Sequence, residues 1–168
     1  AAVRPIRQVA LWNRTRAHAE ALAAKLAGDF DVAVADDLEA AVRAADVISC
    51  ATLSRMPLVR GAWLRPGSHL DLVGGFTPEM READDEAVRR AKIFVDTRAG
   101  AMKEAGDIAE PLARGIIAEA DIQADLFALS AGAHRGRAAA DEITLFKSVG
   151  TALEDLAAAV LVHERLPS

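Results

Sequence analysis

Apolar residues fall in short runs along the chain, separated by longer stretches of helical character. The runs Val9-Ala10-Leu11-Trp12, Asp31-Val32-Ala33-Val34, Val47-Ile48-Ser49-Cys50-Ala51, His69-Leu70-Asp71-Leu72-Val73 and Ile93-Phe94-Val95 predict five strands. Near-continuous apolar runs suit strands covered on both faces, as in a parallel sheet. Between them, Thr15 predicts the cap of a helix running to about Lys25-Leu26-Ala27, with Gly28 as its stop and Ala19, Leu22, Ala23 and Leu26 on one side. Asp36 with Glu39 reads as a capping box opening a helix from Leu38 to Ala45. Thr77-Pro78 predicts another helix start, because proline at the first helical position gives up an N–H that has no helical partner. Thr151-Ala-Leu-Glu154 opens the last helix, with Leu153, Leu156, Ala157 and Val160 as an apolar stripe. From Ala99 to Ala140, glycines at 100, 106, 115, 132 and 136 break the pattern into two short helices, an extended piece near Ile122 to Leu129, and loops. Strands alternating with helices make a βαβ chain in a single α/β domain.

Composition narrows the partners. The 168 residues are 52% hydrophobic and carry a net charge of −5, so the chain can bury a core and lacks the basic balance of a nucleic-acid binder. One cysteine allows neither an internal disulfide nor a thiolate zinc cage, and Cys50 reads as a small buried hydrophobe. His18, His69, His134 and His163 have no metal-ligand spacing, and His69 reads as a packed or hydrogen-bonded strand residue. No apolar run reaches the roughly 18–20 residues that span a bilayer. The opening AAVRPIRQVALWNR lacks the zoning of a signal peptide. The expectation is a soluble protein of a reducing compartment, the cytoplasm, without metal, membrane or nucleic acid as a partner. Lys103, Glu104 and Asp107 read as a solvated charged face.

In open parallel sheets ligands sit outside the carboxyl ends of the strands, so the residues after each run carry the candidate chemistry. After the first come Asn13, Arg14 and Thr15. A dinucleotide fold that reads NAD places an acid at such a position to accept from the ribose hydroxyls. Here a neutral Asn, a forked cation and a hydroxyl at a helix start suit a 2′-phosphate instead, which points to NADP(H). The same residues also suit a capped helix with solvent-exposed arginines. After the third run come Ala51, Thr52, Leu53 and Ser54, small enough for a nucleotide to lie against the backbone, or an ordinary polar loop. After the fourth, Gly74-Gly75-Phe76 permits close backbone approach beside a nicotinamide ring, or a tight strand-to-helix turn. Ser148 either caps the last helix or faces a ligand.

The phosphate-binding fingerprint G-x-G-x-x-G is absent; it belongs upstream of the adenosine-reading turn, and the chain begins about where the helix it opens would end. The expected fold is therefore a Rossmann-type doubly wound parallel sheet lacking its first strand and Gly-rich loop, with residues 1–168 forming one nucleotide-binding domain plus a returning carboxyl-terminal helix of a longer two-domain chain.

The pieces VALWNRTRAHAEALA, AADVISCATLSRMPLV, GAWLRPGSHLDLVGGFTPEMREADDEAV, IFVDT, AGDIAEPLARG and EITLFKSVGTALEDLAAAVLV, in that order, resemble the ornithine cyclodeaminase/mu-crystallin family across nearly the whole chain. The resemblance implies an NAD(P)H-dependent oxidoreductase acting on a small imino acid or amino acid, and a homodimer formed through a substrate domain that is not in this sequence. It implies that Asn13, Arg14 and Thr15 contact the adenosine phosphate of NADPH, that Ala51, Thr52 and Leu53 lie along the cofactor, that Val73 and Gly74 sit beside the nicotinamide, and that Ser148 lies on the nicotinamide side. Cyclodeaminase members carry an Asp after the glycine pair as a proton carrier, where this sequence has Phe76. Losing a positioned proton carrier commonly costs on the order of 10²–10⁴ in rate, whereas a preformed cyclic iminium needs only orientation and a dry site. The expected activity is reduction of a cyclic ketimine such as Δ1-pyrroline-2-carboxylate to an L-proline-type product, with ornithine cyclodeamination and non-catalytic NADPH-dependent ligand binding as the alternatives.

Overall fold

The computed structural model describes residues 4–166, in two compact units, Ala1–Ala45 and Asp46–Ser168. In the first, β1 (Gln8–Leu11) and β2 (Asp31–Val34) pair in parallel, Val9 opposite Val32 and Leu11 opposite Val34. Parallel pairing requires a crossover, and α1 (Arg16–Leu26) supplies it. In both strands burial alternates, with Val9, Leu11, Val32 and Val34 turned inward. Ala19 is buried on α1, while Leu22 stays exposed, so the apolar side of that helix is only partly covered.

The capping box expected at Asp36 does not form. Asp37 is the cap of α2 (Leu38–Ala44), accepting from the Ala40 N–H at 3.2 Å. Asp36 instead pairs with Arg16, and Glu39 with Arg43 one turn along. Of two adjacent aspartates, the one next to the first helical residue takes the backbone, and the other is left to the nearest cation.

The second unit contains β3 (Val47–Cys50), β4 (His69–Leu72), α3 (Asp85–Arg90), β5 (Lys92–Val95), α4 (Arg98–Glu104), α5 (Gly106–Ala113), β6 (Ile122–Asp125), α6 (Leu126–Ser130), β7 (Thr144–Lys147) and α7 (Ala152–Arg165). Its five strands are all parallel, in the order β3-β4-β7-β5-β6, so every strand ends at the same edge. Leu70, Leu72, Ile93, Val95 and Leu145 are wholly buried, as are the helical Val88, Ala101 and Ile108. Ile93, Phe94 and Val95 are all buried, as a strand covered on both faces requires. In β3 only Ile48 and Cys50 are, and Val47 and Ser49 are exposed.

Two expectations fail in this unit, and one strand lies outside the five predicted runs. The central strand β7 was not anticipated, because its apolar core Leu145-Phe146 is bracketed by Thr144 and Lys147, both of which turn out to be buried. Thr77-Pro78 opens only a tight turn, closed by Met80 N–H donating to the Thr77 carbonyl. The helix is delayed to Asp85, capped by Asp84, because the preceding backbone is held elsewhere: Arg81 N–H donates to the Ser54 carbonyl, the Glu82 carbonyl accepts from Leu58 and Val59 N–H, and Ala83 bridges to Val59. The extended piece stops at Asp125, whose carboxylate caps α6 at the Ala128 N–H, so Leu126 to Ser130 are helical.

The last helix forms as read, with Thr151 and Glu154 in a reciprocal capping box. Its stripe of Leu153, Leu156, Ala157 and Val160 is exposed. Among the described residues no helix is long and apolar enough to cross a membrane, and no group of side chains has the make-up of a metal site.

His69 is half-buried, its Nδ1 2.8 Å from Thr144 Oγ1, and burial pulls its pKa below the ordinary 6.5. Folding therefore disfavours the proton: this contribution is complete above about pH 6.5 and is lost as the pH falls below that value. Comparing urea midpoints at pH 7.5 and 5.5, His69→Gln should lose less stability on acidification than the native chain. Identical pH slopes would contradict the assignment.

Candidate functional site

The carboxyl edge of the five-stranded sheet is assembled from three turns that follow β3, β4 and β7. Strand register brings them together: Val73 N–H donates to the Cys50 carbonyl at 2.9 Å, and Ser148 N–H to the Leu72 carbonyl at 3.1 Å. Ala51, Thr52, Val73, Gly74 and Ser148 thus lie on one rim. Leu53, Val73 and Phe76 leave 69%, 46% and 50% of their surface exposed there, which sets open apolar side chains beside polar backbone.

Two buried acids shape this rim, and neither was singled out from the sequence. Glu82 Oε1 accepts from Thr52 N–H at 2.6 Å and Thr52 Oγ1 at 2.8 Å, while Oε2 accepts from Gly74 N–H at 2.9 Å. Asp96, at the end of β5, accepts from Thr97 N–H on Oδ1, and from Ser148 Oγ, Val149 N–H and Gly150 N–H on Oδ2. Ser148 therefore spends its proton on Asp96 and keeps lone pairs for an incoming donor. Thr151, not Ser148, caps the last helix.

The glycine pair serves close approach rather than a left-handed turn, since neither Gly74 nor Gly75 has positive φ. A Cβ on Gly74 would collide with the Thr52 backbone and lie 2.5 Å from Glu82 Oε1. One on Gly75 would come within 2.8 Å of Asp107 Oδ2.

Beneath the pair lies a buried charge cluster. Asp107, expected on a solvated face, is fully buried, whereas Lys103 and Glu104 are exposed. It opens α5 directly against the Arg81–Ala83 segment. Its Oδ1 accepts from the N–H groups of Glu82 and Ala83 at 2.8 and 3.0 Å, and its Oδ2 faces Lys147 Nζ at 3.7 Å. Burial pushes the Asp107 carboxyl above the usual range and the Lys147 ammonium below it. Burial, reinforced by Glu82 and Asp107, also drives the Cys50 thiol up to about 12, so Cys50 is no nucleophile. The cluster was hidden from the sequence because lysine and aspartate normally mark surface; the one available signal was Lys147 directly following the apolar Leu145-Phe146.

In the first unit, Asn13, Arg14 and Thr15 are all exposed in the turn after β1. Asn13 Oδ1 accepts from Thr15 N–H at 2.8 Å, which fixes the turn. Thr15 occupies the cap position of α1, but its hydroxyl makes no capping bond. The charge of Arg16 is matched by Glu20 and Asp36, while Arg14 has no such partner among the described residues. This turn offers one uncommitted guanidinium beside a helix start.

The rim thus presents backbone and apolar side chains together at one edge of the sheet. The family model described as ornithine cyclodeaminase/mu-crystallin family matches residues 1–168. The chain belongs to this family. Among its ornithine cyclodeaminase/mu-crystallin relatives, the Δ1-pyrroline-2-carboxylate reductase of Paracoccus denitrificans is 43% identical over 90% of this chain and 48% of its own length. The ketimine reductase mu-crystallin of Mus musculus is 41% identical over 94% of this chain and 47% of its own. The solved structure of Thermococcus litoralis Δ1-pyrroline-2-carboxylate reductase, in complex with NADH and L-proline, superposes with a TM-score of 0.93 at 36% identity, covering 97% of this chain and 51% of that one. The fold is thus the Rossmann-type α/β fold expected of the family, and the chain spans about half the length of these relatives.

Removing one partner of the buried pair tests the cluster. Lys147→Met should destabilise the protein by about 3–5 kcal/mol at pH 7, because it leaves the buried Oδ2 of Asp107 without a cation, while Arg81 Nε stays 3.9 Å from Oδ1. That carboxyl already protonates above its ordinary range, so the deficit should shrink as the pH falls toward 5. Denaturant melts showing a pH-independent deficit, or none, would refute the pairing.

Proposed function

We propose that this chain takes a reduced nicotinamide dinucleotide and serves the reduction of a cyclic ketimine of the Δ1-pyrroline-2-carboxylate type. The observation that carries this reading is the rim of Ala51, Thr52, Val73, Gly74 and Ser148, in a chain whose fold superposes at a TM-score of 0.93 on a reductase solved with NADH and L-proline. The site accommodates the group: the glycine pair lets the rim present bare backbone, the exposed Leu53 and Val73 offer apolar contact for a ring, and Ser148 offers an acceptor for a carboxamide N–H. Bound there, the cofactor supplies hydride to an electrophilic carbon.

In the first unit, Arg14 and the Thr15 hydroxyl are the groups left to meet a 2′-phosphate, which supports NADP(H) over NAD(H). Asn13 holds the turn in shape for that contact. Phe76 is half exposed at the rim, where the family resemblance implies an Asp in the cyclodeaminases, and its ring carries no proton to exchange. A substrate that arrives already as an iminium needs no such carrier, which favours reduction over cyclodeamination.

Absorbance at 340 nm should fall when the full-length protein is given NADPH with a five- or six-membered cyclic imino acid. Ammonia release from L-ornithine with NAD, without imine reduction, would contradict the proposal. Arg14→Ala should weaken NADPH by roughly 10–100-fold, the range of a charge-assisted hydrogen bond, and NADH hardly at all. Equal losses for the two cofactors would refute the 2′-phosphate assignment.

A further inference from the structure

The turns after β3 and β4 are tied to one another by a single side chain. Glu82 is fully buried and divides its two oxygens between them, Oε1 to the backbone N–H and hydroxyl of Thr52, Oε2 to the N–H of Gly74. The carboxylate cannot drift, because its own backbone is pinned on both sides. The Glu82 carbonyl accepts from Leu58 N–H and Val59 N–H, each at 2.9 Å, and its N–H donates to Asp107 Oδ1 at 2.8 Å. Nor can the turns drift apart or together freely, since Gly74 already touches the Thr52 backbone as closely as a residue without a Cβ allows.

We propose that Glu82 is a positioning residue for the nicotinamide end of the cofactor: it locks the Thr52 turn and the Gly74 turn into one rigid surface. The inference rests on the cofactor reading above, and extends it to a residue that need not touch the ligand. Its chemical logic is that a ligand-facing turn leaves backbone N–H groups without ladder partners, and each such group must find an acceptor. A carboxylate can serve two turns at once, one oxygen each, which no neutral side chain of that size can do. Fixing both turns before binding removes an ordering cost that the ligand would otherwise meet.

Glu82→Gln tests this with little change of shape. The amide has one acceptor and one donor, so either the Thr52 or the Gly74 N–H is left facing an NH₂ group. Dissociation constants of the folded full-length variant are measured by calorimetry for NADPH and for adenosine 2′,5′-bisphosphate, the phosphorylated adenosine end alone. The expected result is a loss of about tenfold or more for NADPH, the scale of one buried N–H left unpaired, with the bisphosphate unchanged within about twofold. A merely structural role would lower the melting temperature and weaken both ligands alike, or neither, and either pattern overturns the proposal. If native protein binds neither ligand, the cofactor reading itself fails. Should the glutamine variant not fold, Glu82→Asp, which keeps both acceptors but shortens their reach, carries the same comparison, with the same selective loss of NADPH expected.

Discussion

A parallel sheet aligns all its strands, and so it gathers at one edge a row of turns whose backbone groups have left the ladder. In this protein those groups are met by carboxylates fixed from within. Glu82 holds the turns after β3 and β4, and Asp96 holds the turn after β7 by accepting from Ser148, Val149 and Gly150. Everything proposed for the rim depends on this arrangement. Acceptors buried behind the turns leave their outer surface free of internal obligations and rigid enough to recognise a flat ligand.

The same choice explains the charge buried below. A carboxylate taken out of water demands compensation, and Lys147 and Arg81 lie within the same small region as Glu82 and Asp107. The glycine pair follows too, because a side chain at Gly74 or Gly75 would displace the acids and backbone that hold the rim. Charge, glycine and turn form one construction whose members fail together.

The sheet was legible in the sequence wherever burial was apolar. Five runs read as strands all proved to be strands, because short stretches carrying Val, Ile or Leu at successive or alternate positions have the period of a strand and are too short for a helix. What escaped was built from polar residues in apolar places. The central strand β7 begins with a buried Thr144 and ends with a buried Lys147, so its periodicity was masked. Asp107 sat in a segment that looked like a solvated face, and Glu82 followed what looked like a helix start at Thr77. Neither residue's role can be inferred without knowing that the backbone of Glu82 and Ala83 lies against Leu58 and Val59. The turn residues of the candidate site were found because strand ends are predictable and the resemblance named the same places; the acids that hold them act across 8 positions (Glu82 to Gly74), 30 (Glu82 to Thr52) and 52 (Asp96 to Ser148) and have no local signature.

The most direct test of the account is an amide map of ¹⁵N-labelled full-length protein titrated with NADPH. Saturable shifts are expected at Thr52, Gly74 and Ser148, the three turns moving with a single dissociation constant. Saturable binding that leaves all three amides unmoved would contradict it.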